Sequence, residues 1–452
     1  MRRDGEKMQN SLGTELRPDA LTGAACAFEG IKGGVCLLNA PTGCKFYTSY
    51  VVDTQNSRNS SFDPLEYSER FYFGQPRVPS TYLDEEDYIY GTIKKVEEAL
   101  RILDKKDGVK FIGIANSSGT SLIGDDLEGL VKGLNLKKPV VIAEGAGLQG
   151  SMPQGFRSAT LSIVKRFLEP TERKKPKGVN LIGPMICQHN YENDIEEVIR
   201  MLSLLGVEVI SVISADLEFD SLVNATQAEL NIVLYEEYGE EVAQEFEKIF
   251  GIPYISAGDT PSPFGIYAAE SFLEKVAEFF GIPKKPIEEE SKRVRMRCYP
   301  VLARASSVRG LPKGTTFGIF GESSQVVPLV WFLHDYLGMY PVVIGLKEVG
   351  EKSKRLLEMF LRERDIDSLV LSIPNILELE EALRATHPKI ILGSSLEERL
   401  AKSIWRSPPP FVGISFPVWG KVTITHRPFI GFRGVLALVE DIINQLRGII
   451  SA

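Results

Sequence analysis

At 452 residues the chain is too long for one hydrophobic core, and two to three domains are expected. Its apolar and charged fractions, 43% and 25%, are those of an ordinary globular protein, and a net charge of -8 argues against nucleic acid or an anionic membrane as the main partner. No apolar run approaches the ~18 residues of a spanning helix, no signal core opens the chain, and five cysteines are too few for a disulfide framework, so a cytoplasmic protein with reduced or metal-binding thiols is expected.

Short β-rich runs alternate with amphipathic helical segments, and the alternation restarts twice. A first block has strands expected at 34–41, 109–116 and 139–144, with helices at 88–103 and 125–134. The segment 53–82 is polar, aromatic-rich and irregular: a surface excursion or a partner-binding loop. The charged, proline-bearing stretch 169–177 is a linker. A second block has strands at 178–183, 208–213, 231–234 and 253–255, with helices at 194–205 and 221–230. The stretch 282–291 is polar and proline-rich and precedes a further helix. A third block has strands at 316–321, 341–346, 368–373, 389–393 and 411–416. Near-continuous apolar strands alternating with helices make a parallel sheet covered on both faces. The fold class is therefore α/β, three doubly wound, Rossmann-like parallel-sheet domains, divided at 1–175, 176–290 and 291–452.

Ligands of such sheets bind beyond the carboxyl ends of the strands. In the first block Cys26 and Cys44 flank the apolar strand Val35-Cys36-Leu37-Leu38, and Cys44 follows the turn Pro41-Thr42-Gly43. A helix start depresses a thiol pKa, and the thiolate is the metal-binding form. The glycines around both cysteines suit close approach to a bulky inorganic group. Cys36 lies inside the strand, where core packing is the simpler role. After the next strand, Asn116-Ser117-Ser118-Gly119 is either an anion-receptive turn or a well-capped helix start. In the second block Cys187 and His189 stand just past a strand end, able to line a pocket. In the third, Arg427 and Arg433 are either carboxylate binders or solvated arginines. There is no G-x-x-x-x-G-K-[ST] phosphate loop, so ATP is not expected in this chain by that route, and no G-x-G-x-x-G follows the first strand of any block. H-E-x-x-H and G-x-S-x-G are also absent.

The order of Cys26 with its glycines, Pro41-Thr42-Gly43-Cys44, Leu122-Ile123-Gly124-Asp125-Asp126, Gly147-Leu148-Gln149-Gly150-Ser151, Ala228-Glu229-Leu230-Asn231 and Gly431-Phe432-Arg433-Gly434 resembles nitrogenase component 1 and its relatives. The resemblance runs from about residue 21 to 446. It implies three α/β domains per subunit, a homodimer or a paralogous heterodimer, and a metallocluster fed by a separate ATP-hydrolysing iron protein. Cys26 and Cys44 fall on the first two cluster-ligand positions, while Ser118 replaces the third. The resemblance thus implies an iron–sulfur cluster, a 4Fe–4S cluster held by two cysteines from each subunit, with Cys36 in reserve. Tyr235 and Ile430 occupy the positions that anchor the iron–molybdenum cofactor in nitrogenase catalytic subunits, so dinitrogen reduction on that cofactor is not expected. The expected activity is reduction of an organic substrate, such as a tetrapyrrole, lying between the domains beside Cys187, His189 and Arg433, with His189 as proton donor and Cys187, Ser118 and Arg433 as the cofactor-binding residues. The other readings are a cluster-assembly scaffold and a non-redox anion-binding double-Rossmann protein.

Overall fold

Runs such as GVNLI and IILG bury every residue, as strands covered on both faces must. The computed structural model describes residues 18–55, 78–143, 150–310, 312–421 and 423–447. In chain order the strands are β1 (Ile31–Lys32), β2 (Gly34–Asn39), β3 (Phe111–Asn116), β4 (Val140–Ile142), β5 (Gly178–Ile182), β6 (Glu208–Val212) and β7 (Leu217–Glu218). They continue as β8 (Leu230–Val233), β9 (Tyr254–Ile255), β10 (Thr316–Glu322), β11 (Tyr340–Glu348), β12 (Leu369–Ser372), β13 (Ile390–Gly393) and β14 (Phe411–Gly413). Three parallel sheets form, in the orders β2-β3-β4, β6-β5-β8-β9 and β12-β11-β10-β13-β14. Each is an α/β unit with helices between its strands, as expected. A small parallel pair, β1 with β7, ties the start of the first unit to the second.

The second and third sheets each reverse direction at one point, between β5 and β8 and between β10 and β13. Loops leaving adjacent strands there diverge and open a crevice. Cys187 and Tyr235 follow the first pair, while Glu322 ends β10 and Ser394 follows β13.

Several expected elements differ. The helix expected at 88–103 is two, Glu85–Tyr90 and Ile93–Asp104, broken at Gly91, whose φ is 93°. The stretch expected as a helix at 221–230 is one short turn, Phe219–Leu222, and a 3-10 segment, Val223–Gln227. Residues 282–291 are largely helical, because Pro286 sits in the first turn of the helix Lys285–Arg309, where its missing N–H costs nothing. Of the irregular segment 53–82, residues 56–77 lie outside the described residues, as do Glu144 and Gly147-Leu148-Gln149. What is described of its end runs beside β2, Leu38 N–H donating to the Pro79 carbonyl at 2.9 Å and Thr81 N–H to that of Leu38 at 3.0 Å.

The helix Ala20–Glu29 is buried along its entire length and packs on the helix Met152–Phe167. The two cross at backbone contact. A Cβ on Gly155 would lie 1.8 Å from the Ala20 carbonyl oxygen, and one on Gly23 would lie 1.9 Å from that of Met152. Neither oxygen can swing away without breaking its helix. Gly155→Ala is therefore expected to cost ~3 kcal/mol in chemical denaturation, and a loss below about 0.5 kcal/mol would show that the crossing gives way freely.

Candidate functional site

β2 and β3 pair in register up to Asn39 and Asn116, and this rung carries the candidate site. The Asn39 amide donates to Asn116 Oδ1 and to Thr92 Oγ1, both at 3.0 Å, and Thr81 Oγ1 donates to Asn39 Oδ1 at 3.1 Å. Asp125 accepts from Thr92 N–H at 2.6 Å and Thr92 Oγ1 at 2.8 Å, while Asp126 caps its helix through Gly129 N–H at 2.8 Å. These bonds fix the two turns that follow.

From the first turn rises the helix Thr42–Gln55, with Cys44 in its opening turn, half-buried. Its thiol is not depressed as the helix start suggested. Burial and then the charge of Asp19 push it up, outweighing its own backbone N–H. From the second turn rises the helix Ser118–Ile123, capped by Ser117, and Ser118 is exposed. The rim is apolar: Phe46, Ile89, Tyr90 and Leu122 are 64%, 73%, 84% and 78% exposed. Tyr88 joins them by packing over Gly119, where a Cβ would meet its ring at 2.6 Å.

Cys26 does not open onto this rim. It is fully buried in the helix Ala20–Glu29, its Sγ 3.2 Å from Sγ of Cys187, which is likewise fully buried in the turn after β5. The structure thus joins two expected site residues 161 positions apart, and the pair spans the first and second units. Cys36 is sealed into the core on β2. Its N–H donates to Glu29 Oε1 at 2.8 Å, and burial followed by the Glu29 charge pushes its thiol well up. That placement favours packing over ligation. Among the described residues, no three His, Cys, Asp or Glu side chains are placed to hold a metal ion within this one chain.

Around the crevices of the second and third sheets the interior is filled. Tyr235 and Ile430 are fully buried, and the Tyr235 ring meets those of Tyr238 and Phe264 edge-on at 6.4 and 5.9 Å. Burial, then the charges of Asp194, Glu322 and Glu237, push the Tyr235 hydroxyl well up, so it stays a neutral phenol. His189 stacks at a tilt on Phe429 with centroids 5.4 Å apart, and its Nε2 is buried without a hydrogen-bond partner. Burial and then Lys421 pull its pKa to about 4, against Asp441. At neutral pH the ring is an uncharged base rather than a proton-carrying acid, which counts against the donor role expected for it. Arg433 lies at the surface, its N–H donating to Glu197 Oε1 at 3.0 Å and its Nε 3.7 Å from Glu197 Oε2. It does not enter the Cys187 region. Arg427 ties the last helix, bonding to Asp441 and to Glu440 at 3.4 Å.

The sequence reading missed the carboxylates that hold this junction. Glu237 accepts from Ser323 Oγ, from Ser324 N–H at 2.8 Å and from Ser324 Oγ at 2.7 Å. Its neighbour Glu236 accepts from the N–H groups of Lys352 and Ser353 and from Ser353 Oγ, all at 2.8 Å. Each thus caps a different helix start of the third unit from the second. Asp194 Oδ1 accepts from Phe429 N–H at 2.6 Å and Ile430 N–H at 3.0 Å.

Two of the buried acids set a pH dependence. Burial raises Asp194 from 3.8 to about 7 against the Ile430 and Phe429 amides, and raises Glu322 from 4.5 to about 7 against Lys347. Between about pH 4 and 7 the folded chain keeps protons that the unfolded chain has released. The unfolding free energy therefore falls as pH rises, by about 1.4 kcal/mol per pH unit for each group. Thermal melts from pH 5 to 8 should show a falling Tm, and Asp194→Asn should flatten it. An unchanged slope in that variant would remove Asp194 from the account.

Residues 20–447 match the family described as nitrogenase component 1 type oxidoreductase. The chain is 26% identical to one of the subunits of the light-independent protochlorophyllide reductase of Cereibacter sphaeroides, over 82% of this chain and 68% of that one. It is 25% identical to the nitrogenase molybdenum-iron protein alpha chain of Methanothermobacter marburgensis, over 95% and 88%. With the iron-molybdenum cofactor biosynthesis protein NifE of Clostridium pasteurianum it shares 27% over 84% and 78%. The solved structure of nitrogenase Cp1 at pH 6.5 superposes with a TM-score of 0.77 at 19% identity, over 96% of this chain and 92% of that one, a match of fold. No helix among the described residues is long and apolar enough to cross a membrane. The chain belongs to the nitrogenase component 1 type oxidoreductase family.

Proposed function

We propose that this chain is the electron-accepting, substrate-reducing component of an ATP-dependent two-component reductase, whose partner iron protein hydrolyses the ATP. The observation that carries the reading is the Cys44 face: a half-buried thiol at a strand end, rimmed by exposed aromatic and aliphatic side chains, in a chain whose described residues supply no complete metal site alone. A site completed by a second copy or a paralogous subunit accounts for both. Thiolate donors suit an iron–sulfur cluster, and the donor set fits it once two chains contribute. Cys26 and Cys44 would hold it, and when bound it supplies one-electron transfer. Cys44 presents its sulfur at the rim, Phe46, Ile89 and Leu122 exclude water from the seam, and Cys26 must turn from Cys187 to join it.

An organic substrate, with a tetrapyrrole as the first to try, is favoured by the similarity to the protochlorophyllide reductase subunit. It is also favoured by Tyr235 and Ile430, a buried phenol held neutral and a hydrocarbon side chain where the resemblance places cofactor anchors. Glu322, which keeps its proton to about pH 7, is a better proton store than His189. Protein prepared without oxygen should hold about four iron and four sulfide per pair of chains and give an EPR signal on reduction. Mixed with an iron protein, it should support substrate-dependent ATP hydrolysis. Iron-free protein overturns the reading. The similarity to NifE favours one alternative, a cluster-assembly scaffold. That reading predicts iron and sulfide without substrate-dependent ATP use.

A further inference from the structure

We propose that Cys26 and Cys187 are a redox pair that closes to a disulfide when the chain is oxidised without its metal. The two sulfurs are already 3.2 Å apart. A disulfide bond is about 2.05 Å long, so about 1.2 Å of approach is needed, within the reach of small side-chain rotations. Both residues belong to one apolar core that runs through the first and second units. As thiols they gain little from meeting there, because S–H is a weak donor and sulfur a weak acceptor.

Burial keeps bulky disulfides away from the pair, so the fitting oxidant is a small peroxide. One thiol attacks hydrogen peroxide, the O–O bond breaks, and a sulfenic acid and water form. The second thiol then displaces hydroxide from that sulfur, which leaves as water after taking a proton. Overall two S–H bonds are lost, one S–S bond forms, the sulfurs give up two electrons, and peroxide becomes two waters.

The consequence for the metal rests on the ligand role proposed for Cys26, while the disulfide itself does not. A Cys26 sulfur bonded to Cys187 cannot be a thiolate ligand, so oxidation would close the cluster position and staple the helix Ala20–Glu29 to the turn after β5.

The test uses the full chain, stripped of metal by a chelator under nitrogen and then treated with stoichiometric hydrogen peroxide. Alkylation in denaturant without reductant should label three of the five cysteines, since two are joined. Digestion should release one cross-linked peptide pair carrying residues 26 and 187, lighter by two hydrogen atoms and separated by dithiothreitol. Cys187→Ser should label all four remaining cysteines, and Cys187→Ala serves if the serine variant does not fold. Five labelled cysteines in the oxidised wild type, or a cross-link from Cys26 to Cys44 or to any other cysteine, overturns the proposal. The same oxidation of iron-loaded protein separates the two ideas. A cross-link that appears only as iron is released supports both, and one that forms with all iron retained keeps the disulfide and removes Cys26 from the ligand set.

Discussion

A chain carrying Cys26→Ser and Cys44→Ser, prepared without oxygen, is expected to lose nearly all of its iron, sulfide and absorbance near ~400 nm, the charge-transfer region of iron–sulfur centres. A serine hydroxyl is a hard, protonated donor where a soft thiolate is required. Cys44→Ser alone should cause most of the loss, because its sulfur is the one at the rim. Folding should survive. Cys26 is fully buried, so its hydroxyl replacement is expected to cost about 1–3 kcal/mol, whereas half-buried Cys44 should cost less. Iron retained in the double variant would show that other groups hold it.

The second large effect is on stability. Glu237→Ala removes the acceptor for three donors at the start of the helix Ser323–Trp331 and leaves the Ser324 N–H and two hydroxyls without their carboxylate. Bonds to a buried charged acceptor, plus the helix dipole, put the expected loss at ~3–5 kcal/mol in urea unfolding. Glu241→Ala, a few residues on and exposed, should stay within about 0.5 kcal/mol. The contrast matters because both substitutions remove one negative charge from the same helix. Equal effects would mean that net charge, not the cap, sets the cost.

The three sheets were legible because parallel strands are unbroken apolar runs. The strand expected at 178–183 is Gly178–Ile182, and that at 389–393 is Ile390–Gly393. What escaped notice had no such run. The helix Ala20–Glu29, ALTGAACAFE, is buried all round and offers no polar stripe for a 3.6-residue period to reveal. β1 and β7 are two residues each, below any periodicity. Cys44 and Ser118 could be placed from sequence because strand ends and turns announce themselves locally. The Cys26–Cys187 contact could not, since thiols 161 positions apart share no local signal. Glu236 and Glu237 lie in the first turn of the helix Glu236–Phe250, and only the third unit's position shows that they cap other helices.

The last helix, Gly431–Arg447, follows the third sheet in the chain yet lies against Tyr191–Ser203, Ile266–Phe280 and Lys285–Arg309 of the second unit. The third unit is thus an insertion in the path of the second. On a ribosome making about 5–20 residues per second, the middle unit waits for some 120 residues of another unit, from about 310 to 430, before its helical layer can close. Truncation near residue 430 would therefore damage the middle of the protein rather than its end, exposing the apolar side of the helix Tyr191–Ser203 while leaving the third sheet whole.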